Sequence, residues 1–424
     1  MEVGSFFGTG SGTGSKHRGA RREGALRGTE IVSRGKCNKD IDCCYSVCRQ
    51  KWDPNAKRIV PSCCVVNEKK CPKDTFNCCS GVCDDNGHCI WLTRAAGGVY
   101  TADIINYYDQ SYMIKVQIGN PPQNFNVLLS TGSADFWVLH SSIKTNKQRF
   151  FSQKSSTYSN SSKFMVIGNV EGFVGVDTVQ FAGLKLNKIE FNQVDIIDSI
   201  TLKQPFEGAL GLAYPSLSKS KTVSPVMTAI QQNLFANKMF TLYLKGGYGP
   251  NAENKYGGRV TFGDFDFQNC GKIIGWTKIS PQIHYQFQID SISFNGKVIT
   301  IAESSTSVIM GDKAVTDNLA KQVGGVWDEN EGLYILPCNK NYSPITIKIN
   351  KIKLVLTKDI LTFQLNSNKC AFAIVPADPA IAEDGYNWII GSPLMRAYCH
   401  TFDIGNNRLG FAQNFSSITV PSYS

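Results

Sequence analysis

Eleven of the fifteen cysteines lie between Cys37 and Cys89, while Cys270, Cys338, Cys370 and Cys399 are spread thinly over the rest of the 424-residue chain. That distribution sets two different folding problems. A segment so dense in cysteine belongs with small secreted modules, which cannot build an adequate core and need covalent staples. The longer remainder must hold itself by burial, and 42% hydrophobic residues is enough for substantial cores.

Charge narrows the function classes. Basic residues number 44 against 34 acidic, a net +10, with only 18% of residues charged and no long basic block. This reads as solvated surface rather than a nucleic-acid or membrane patch. No stretch approaches the roughly 20 apolar residues that cross a bilayer, so no membrane span is expected.

Within the cysteine-rich part, Cys64, Cys71, Cys78, Cys79, Cys83 and Cys89 follow the order C…C…CC…C…C. Six cysteines allow about 15 connectivities, and spacing alone leaves them open. The order resembles the inhibitor cystine-knot, or knottin, family, and the resemblance implies Cys64–Cys79, Cys71–Cys83 and Cys78–Cys89. Residues 64–92 are read as that module. Residues 37–63 repeat the pattern with its first cysteine missing, which by the same resemblance pairs Cys37–Cys48 and Cys43–Cys63 and leaves Cys44 over. Vicinal cysteines suit a knot better than a zinc site, for which Cys83, His88 and Cys89 are the rival ligands. No metal and no cofactor is expected.

Residues 1–36 are rich in Gly, Ser, Thr and Arg and lack the apolar core of a secretory signal. They are read as a disordered or misassigned start. The expectation is a natural beginning upstream that carries both a signal and the partner of Cys44. Residues 93–106 are read as a linker.

Beyond it, short runs rich in Val, Ile, Phe and Tyr alternate with Gly, Asn and Ser turns, as at 113–119, 172–182 and 345–355. This marks an all-β protein. The clearest helix starts at Ser224-Pro225 and runs to about Asn233, with a serine cap, proline in the first turn, and Val226, Ala229 and Ile230 on one face.

Dispersed motifs then point one way. Ile118-Gly119-Asn120-Pro121-Pro122-Gln123 leads into an apolar strand that ends Leu128-Leu129-Ser130-Thr131-Gly132-Ser133, followed by Ala134-Asp135-Phe136-Trp137-Val138. Later come Pro205-Phe206-Glu207-Gly208-Ala209-Leu210-Gly211-Leu212, Trp388-Ile389-Ile390-Gly391 and Phe402-Asp403-Ile404-Gly405. In this order they resemble the pepsin family of aspartic proteases across nearly all residues after 107. The resemblance implies two β-lobes, 107–280 and 281–424, facing each other across a cleft, as a bilobal double β-barrel. It also implies the bridges Cys270–Cys399 and Cys338–Cys370.

The family's two catalytic aspartates would stand at Ser130 and Glu303, the second in Glu303-Ser304-Ser305-Thr306-Ser307, where a serine also replaces glycine. Met165 stands where the flap tyrosine would be. The resemblance lines the groove with Thr131, Gly132, Ser133, Met165, Phe206, Tyr243, Ser304, Ser305 and Thr306, and makes Asp135 structural. The family's chemistry needs two carboxyls that share a proton, and serine cannot supply one. None of His17, His88, His140, His284 and His400 aligns with the cleft floor to activate Ser130 as a nucleophile.

The reading is therefore a secreted, monomeric, inactive pepsin-like protein that binds a protein or peptide. Its rivals are a weak aspartic endopeptidase working through Glu303, and a knot module acting as an inhibitor or toxin-like binder on a β-lobed carrier. No propeptide is recognised before Tyr107. Asn160, Asn341 and Asn414 match the glycosylation acceptor pattern.

Overall fold

The computed structural model describes residues 97–246, 253–292, 295–366, 368–379 and 385–416, with the backbone of one hairpin, Gln50–Asp53 paired to Arg58–Pro61. The chain separates into two units, Met1–Trp91 and Leu92–Ser424. All side chains of the first unit, and with them the knot-type pairings, lie outside the described residues.

The second unit is nearly all strand. Its first lobe comprises β1 (Tyr100–Tyr107), β2 (Ser111–Ile118), β3 (Gln123–Ser130), β4 (Phe136–Leu139), β5 (Ser159–Ile167), β6 (Val170–Phe181), β7 (Leu184–Ile197) and β8 (Gly208–Gly211). The segment 93–106, read from sequence as a linker, thus ends in a strand: β1 pairs with β2 and with the later strand Lys255–Phe262. Of the eight residues of β1 only Ile104 and Asn106 are buried, and one of those is polar, so its period-two signal is weak. An additional pairing, β2 with β6, closes the lobe into a barrel.

Next in the chain come β9 (Met239–Leu244), β10 (Lys255–Phe262) and β11 (Cys270–Lys278). The second lobe is built on β12 (Gln286–Ile292), β13 (Asn295–Ala302), β14 (Ile309–Gly311), β15 (Val326–Asp328), β16 (Leu333–Pro337), β17 (Ile345–Ile349) and β18 (Ile352–Leu356). It continues through β19 (Thr362–Gln364), β20 (Lys369–Phe372), β21 (Ile374–Pro376) and β22 (Trp388–Ile390), and the chain closes with β23 (Tyr398–Asp403) and β24 (Arg408–Asn414). Those last two strands return to the large sheet, in the order β11-β24-β23-β9-β10-β1. A cut at residue 280 therefore crosses a shared sheet.

The two lobes repeat one motif. In the first, β8 inserts between β3 and β4, parallel to β3 (Gly211 opposite Ser130) and antiparallel to β4. In the second, β22 inserts between β13 and β14 in the same senses, with Ile390 opposite Ala302. Outside each sits one more parallel partner, β7 on β4 and β21 on β14. Inserting a strand this way requires close backbone approach. At Gly391 a Cβ would meet Val308 O at 2.2 Å, so only glycine fits where β22 leaves the pair.

Packing explains the apolar runs. Phe125, Val127 and Leu129 on one face of β3, and Trp388 and Ile390 in β22, are fully or almost fully buried in one continuous core. The expected helix is present as Pro225–Gln231 (α1), capped by the Ser224 hydroxyl, which accepts from Met227 N. A longer one, Lys313–Val323 (α2), had not been read from the sequence. Asp312 caps it, Gly324 ends it in the left-handed region, and Thr316, Leu319, Ala320 and Val323 form its buried face. Its polar majority masks that face.

Disulfides join Cys270 to Cys399 and Cys338 to Cys370. The first ties β11 to β23 across the shared sheet. One acceptor motif is corrected: Asn414 is fully buried, and its amide donates to Leu244 O and Arg396 O at 2.8 Å each. A side chain spent in this way has no room for a glycan, whereas Asn160 and Asn341 are exposed. The motif alone says nothing about burial.

Candidate functional site

β3 ends at Ser130 and β13 ends one residue before Glu303, so the paired insertions deliver both turns to the same place. There the lobes exchange hydrogen bonds. Thr131 N donates to Ser304 Oγ (3.1 Å), and Ser304 N donates to Thr131 Oγ1 (2.8 Å). Each hydroxyl then donates to a strand end on the far side, Thr131 Oγ1 to Ala302 O and Ser304 Oγ to Leu129 O. Both residues are buried, and every polar atom named is satisfied.

Above this lattice lies a chain of three side chains. Ser305 Oγ donates to Glu303 Oε1 at 2.9 Å and lies 3.2 Å from Ser130 Oγ. The glutamate leans over the first turn: a Cβ on Gly132 would sit 2.5 Å from Glu303 Cδ, so glycine there makes room for the longer acid. Burial raises the Glu303 carboxyl above its ordinary value, opposed in part by hydrogen bonds from the Ser305 and Thr306 hydroxyls.

Ser133 accepts from Asp135 N through Oγ and from Ala213 N through its carbonyl. Asp135 itself is buried and turned to the loop 218–220. Its carboxylate accepts from Ser218 Oγ, Lys219 N, Ser220 N and Ser220 Oγ. Thr306 O accepts from Ser392 N, which seats the helix Ser392–Ala397 (α3) against the second turn.

One wall is apolar. Met165, in the β5–β6 hairpin, is 2% exposed and packs with Trp137, Leu139, Val170, Phe206 and Ala209, while its neighbours Phe164 and Val166 face outward. Trp137 and Phe206 meet edge to face at 6.3 Å. Tyr243 belongs elsewhere in the framework: it lies in β9 opposite Arg259 and beside Tyr256, on the sheet the lobes share.

Sequence reading missed the residue that holds Phe206. The Lys147 ammonium donates to the carbonyls of Leu202, Gln204 and Phe206. Arg149 closes the same loop by donating to Ser141 O and Ile143 O. Burial lowers the Lys147 pKa, with Glu207 opposing. A lysine in a polar loop carries no local sign of such a role.

Among the described residues, His140 and His400 are engaged elsewhere. His400 is buried with Nδ1 against Tyr398 O, and burial lowers its pKa to about 4. His140 pairs with Ser141 and Ser142. Ser130 has Ser305 as its partner. Among the described residues no group of three or more His, Cys, Asp or Glu is placed to hold a metal ion, and no helix is long and apolar enough to cross a membrane.

Residues 111–414 match the model of the family described as eukaryotic aspartyl protease. The chain belongs to the eukaryotic aspartyl protease family. It is similar to aspartic protease 6 of Caenorhabditis elegans, 31% identical over 327 residues that cover 73% of this chain and 83% of that protein. Pepsin A of Suncus murinus is 31% identical over 338 residues, 76% of this chain and 85% of the relative. Cathepsin E-B of Xenopus laevis is 32% identical over 330 residues, 73% and 81% respectively.

Proposed function

We propose that this protein is a secreted pepsin-family homologue whose catalytic pair has degenerated and which binds extended peptide without cutting it. One observation carries the reading: Ser130, Ser305 and Glu303 occupy the junction with a single carboxyl among them. Aspartic catalysis requires two carboxyls close enough to share one proton, one form activating water while the other protonates the substrate carbonyl. A hydroxyl has no ionisation near neutral pH and cannot fill half of that pair. The extra methylene of Glu303 and the hydroxymethyl of Ser305 crowd the remaining position, and displacement on the order of 1 Å costs about a hundredfold in rate.

What remains is read as a groove beside the hydrogen-bonding turns, backed by the packed apolar cluster of Met165, Trp137 and Phe206. Such a groove suits an extended peptide held by strand-like pairing. Oxidised cysteines at 270–399 and 338–370 favour secretion, and the cysteine-rich residues 37–92 are assigned to one incomplete and one complete cystine-knot module. The lobes are assigned to 107–280 and 281–424.

Casein digestion across the acidic range, with and without a pepstatin-type inhibitor, tests the reading. The expected result is no inhibitor-sensitive cleavage at any pH. Robust inhibitable cleavage would establish the rival, a residual endopeptidase that works through the raised carboxyl of Glu303.

A further inference from the structure

The hydrogen bonds at the junction have a direction that the residues themselves dictate. With Glu303 ionised, its carboxylate only accepts, so the one proton of Ser305 is committed to Glu303 Oε1. Ser305 can then only accept from Ser130, and the Ser130 proton is committed in turn across the 3.2 Å contact. The Thr306 hydroxyl also donates to Glu303. Every hydroxyl hydrogen in the cluster is therefore used internally. Lone pairs and one negative charge are all that Glu303, Ser305 and Thr306, each partly exposed, present to the cleft.

Among the described residues the charge has no counterpart. What acts on the Glu303 carboxyl is burial and the hydroxyls of Ser305 and Thr306; no lysine, arginine or histidine among the described residues contributes to its balance. Asp135 is consumed by the loop 218–220, and Lys147 by three carbonyls. An acceptor-only floor with an uncompensated carboxylate calls for a ligand that supplies both positive charge and several donors. Side chains with that chemistry are ammonium and guanidinium.

We propose that the floor of the cleft, Glu303 with Ser305, Ser130 and Thr306, is a subsite for a lysine or arginine side chain of a bound extended peptide. The proposal rests on the peptide-binding reading above and deepens it. In a partly desolvated site the Coulomb attraction between the ammonium or guanidinium and the carboxylate is stronger than on the open surface. Binding a cation favours the ionised acid, so the preference is strongest above the titration of Glu303 and fades as pH falls through it. Once protonated, Glu303 donates, the run of hydrogen bonds reverses, and the floor no longer suits a cation.

The test uses the full chain and short peptides of valine and leucine, identical except for a central lysine, arginine or norleucine, with binding read by fluorescence anisotropy. At neutral pH the basic peptides are expected to bind about tenfold tighter than the norleucine peptide. That ratio should fall towards one in Glu303→Gln and, for wild type, in acid. Calorimetry of wild type in two buffers of different ionisation enthalpy, at a pH inside the titration of Glu303, gives an independent readout that needs no variant: the lysine peptide should release protons on binding and the norleucine peptide should not. Equal affinity for all three peptides, or a lysine preference that survives Glu303→Gln, overturns the cationic subsite while leaving peptide binding intact. If no peptide binds, or the peptides are cleaved, the binding reading fails and the subsite with it.

Discussion

Thr131 and Ser304 exchange hydrogen bonds in both directions, backbone to side chain, across 173 residues of sequence. Each also anchors the strand end of the other lobe, so the pair ties the lobes at one point with four hydrogen bonds and no charge. Because both residues are buried, deleting one hydroxyl leaves partners unpaired in a site without water access. Thr131→Val and Ser304→Ala should each cost about 2–3 kcal/mol, read as a shift in the denaturation midpoint. The double variant should cost less than the sum, since each hydroxyl accepts from the backbone N–H of the other residue and the two sites are in direct contact. Additive losses would mean the two hydroxyls act separately.

Glu303 and His400, both shifted by burial, pull stability in opposite directions with pH. Glu303 holds its proton more tightly in the folded chain, so the native state binds more protons than the unfolded one and stability falls as pH rises from the ordinary carboxylate range through its raised value. Comparing wild type with Glu303→Gln across that window should show the wild type losing ground as pH increases.

His400 behaves in reverse. Its pKa falls from 6.5 to about 4, so below 6.5 the unfolded chain takes up a proton that the buried imidazole refuses. Stability drops as pH falls through that window, by roughly 3 kcal/mol once below both values. A phenylalanine at 400 should remove that part of the acid sensitivity in pH-resolved thermal melts, and an unchanged profile would refute the assignment.

If the groove has kept its shape, its chemistry should be recoverable. Ser130→Asp, Glu303→Asp and Ser305→Gly combined supply two carboxyls of the right length and remove the crowding hydroxymethyl. Partial, pepstatin-sensitive cleavage of casein at acid pH is expected from the triple variant, and from none of the three single variants. Complete inactivity in a folded triple variant would show that the walls have diverged as well.

Lys147 does by hydrogen bonding what a covalent loop closure would do. Lys147→Met removes three donors from the carbonyls of Leu202, Gln204 and Phe206 and should lower stability by about 1–3 kcal/mol. Hydrogen exchange should quicken locally, in the helical turn Ser199–Lys203 and up to Phe206, before it changes elsewhere.

Glycopeptide mapping of the chain expressed in a glycosylating host should find Asn414 unmodified, since its amide is committed to Leu244 and Arg396. Asn160 and Asn341 are the exposed acceptors. Occupancy at 414 would require that strand β24 leave the sheet.

The sequence by itself determined the class of fold, because period-two runs, turn residues and the spacing of Ile118-Gly119-Asn120-Pro121-Pro122 and Trp388-Ile389-Ile390-Gly391 are local signals that survive any tertiary arrangement. It also named Ser130 and Glu303 as the residues that follow the two apolar runs, since residue identity is legible without coordinates. Only the tertiary structure decided which groups meet. Ser305 reaches Ser130 across 175 residues, Lys147 finds carbonyls 55 and 57 residues away, and Asn414 disappears into the core. Those partners are chosen by strand insertion and barrel closure. A short window of sequence contains no trace of them, because a hydroxyl, an ammonium or an amide takes its role from what the fold brings to it.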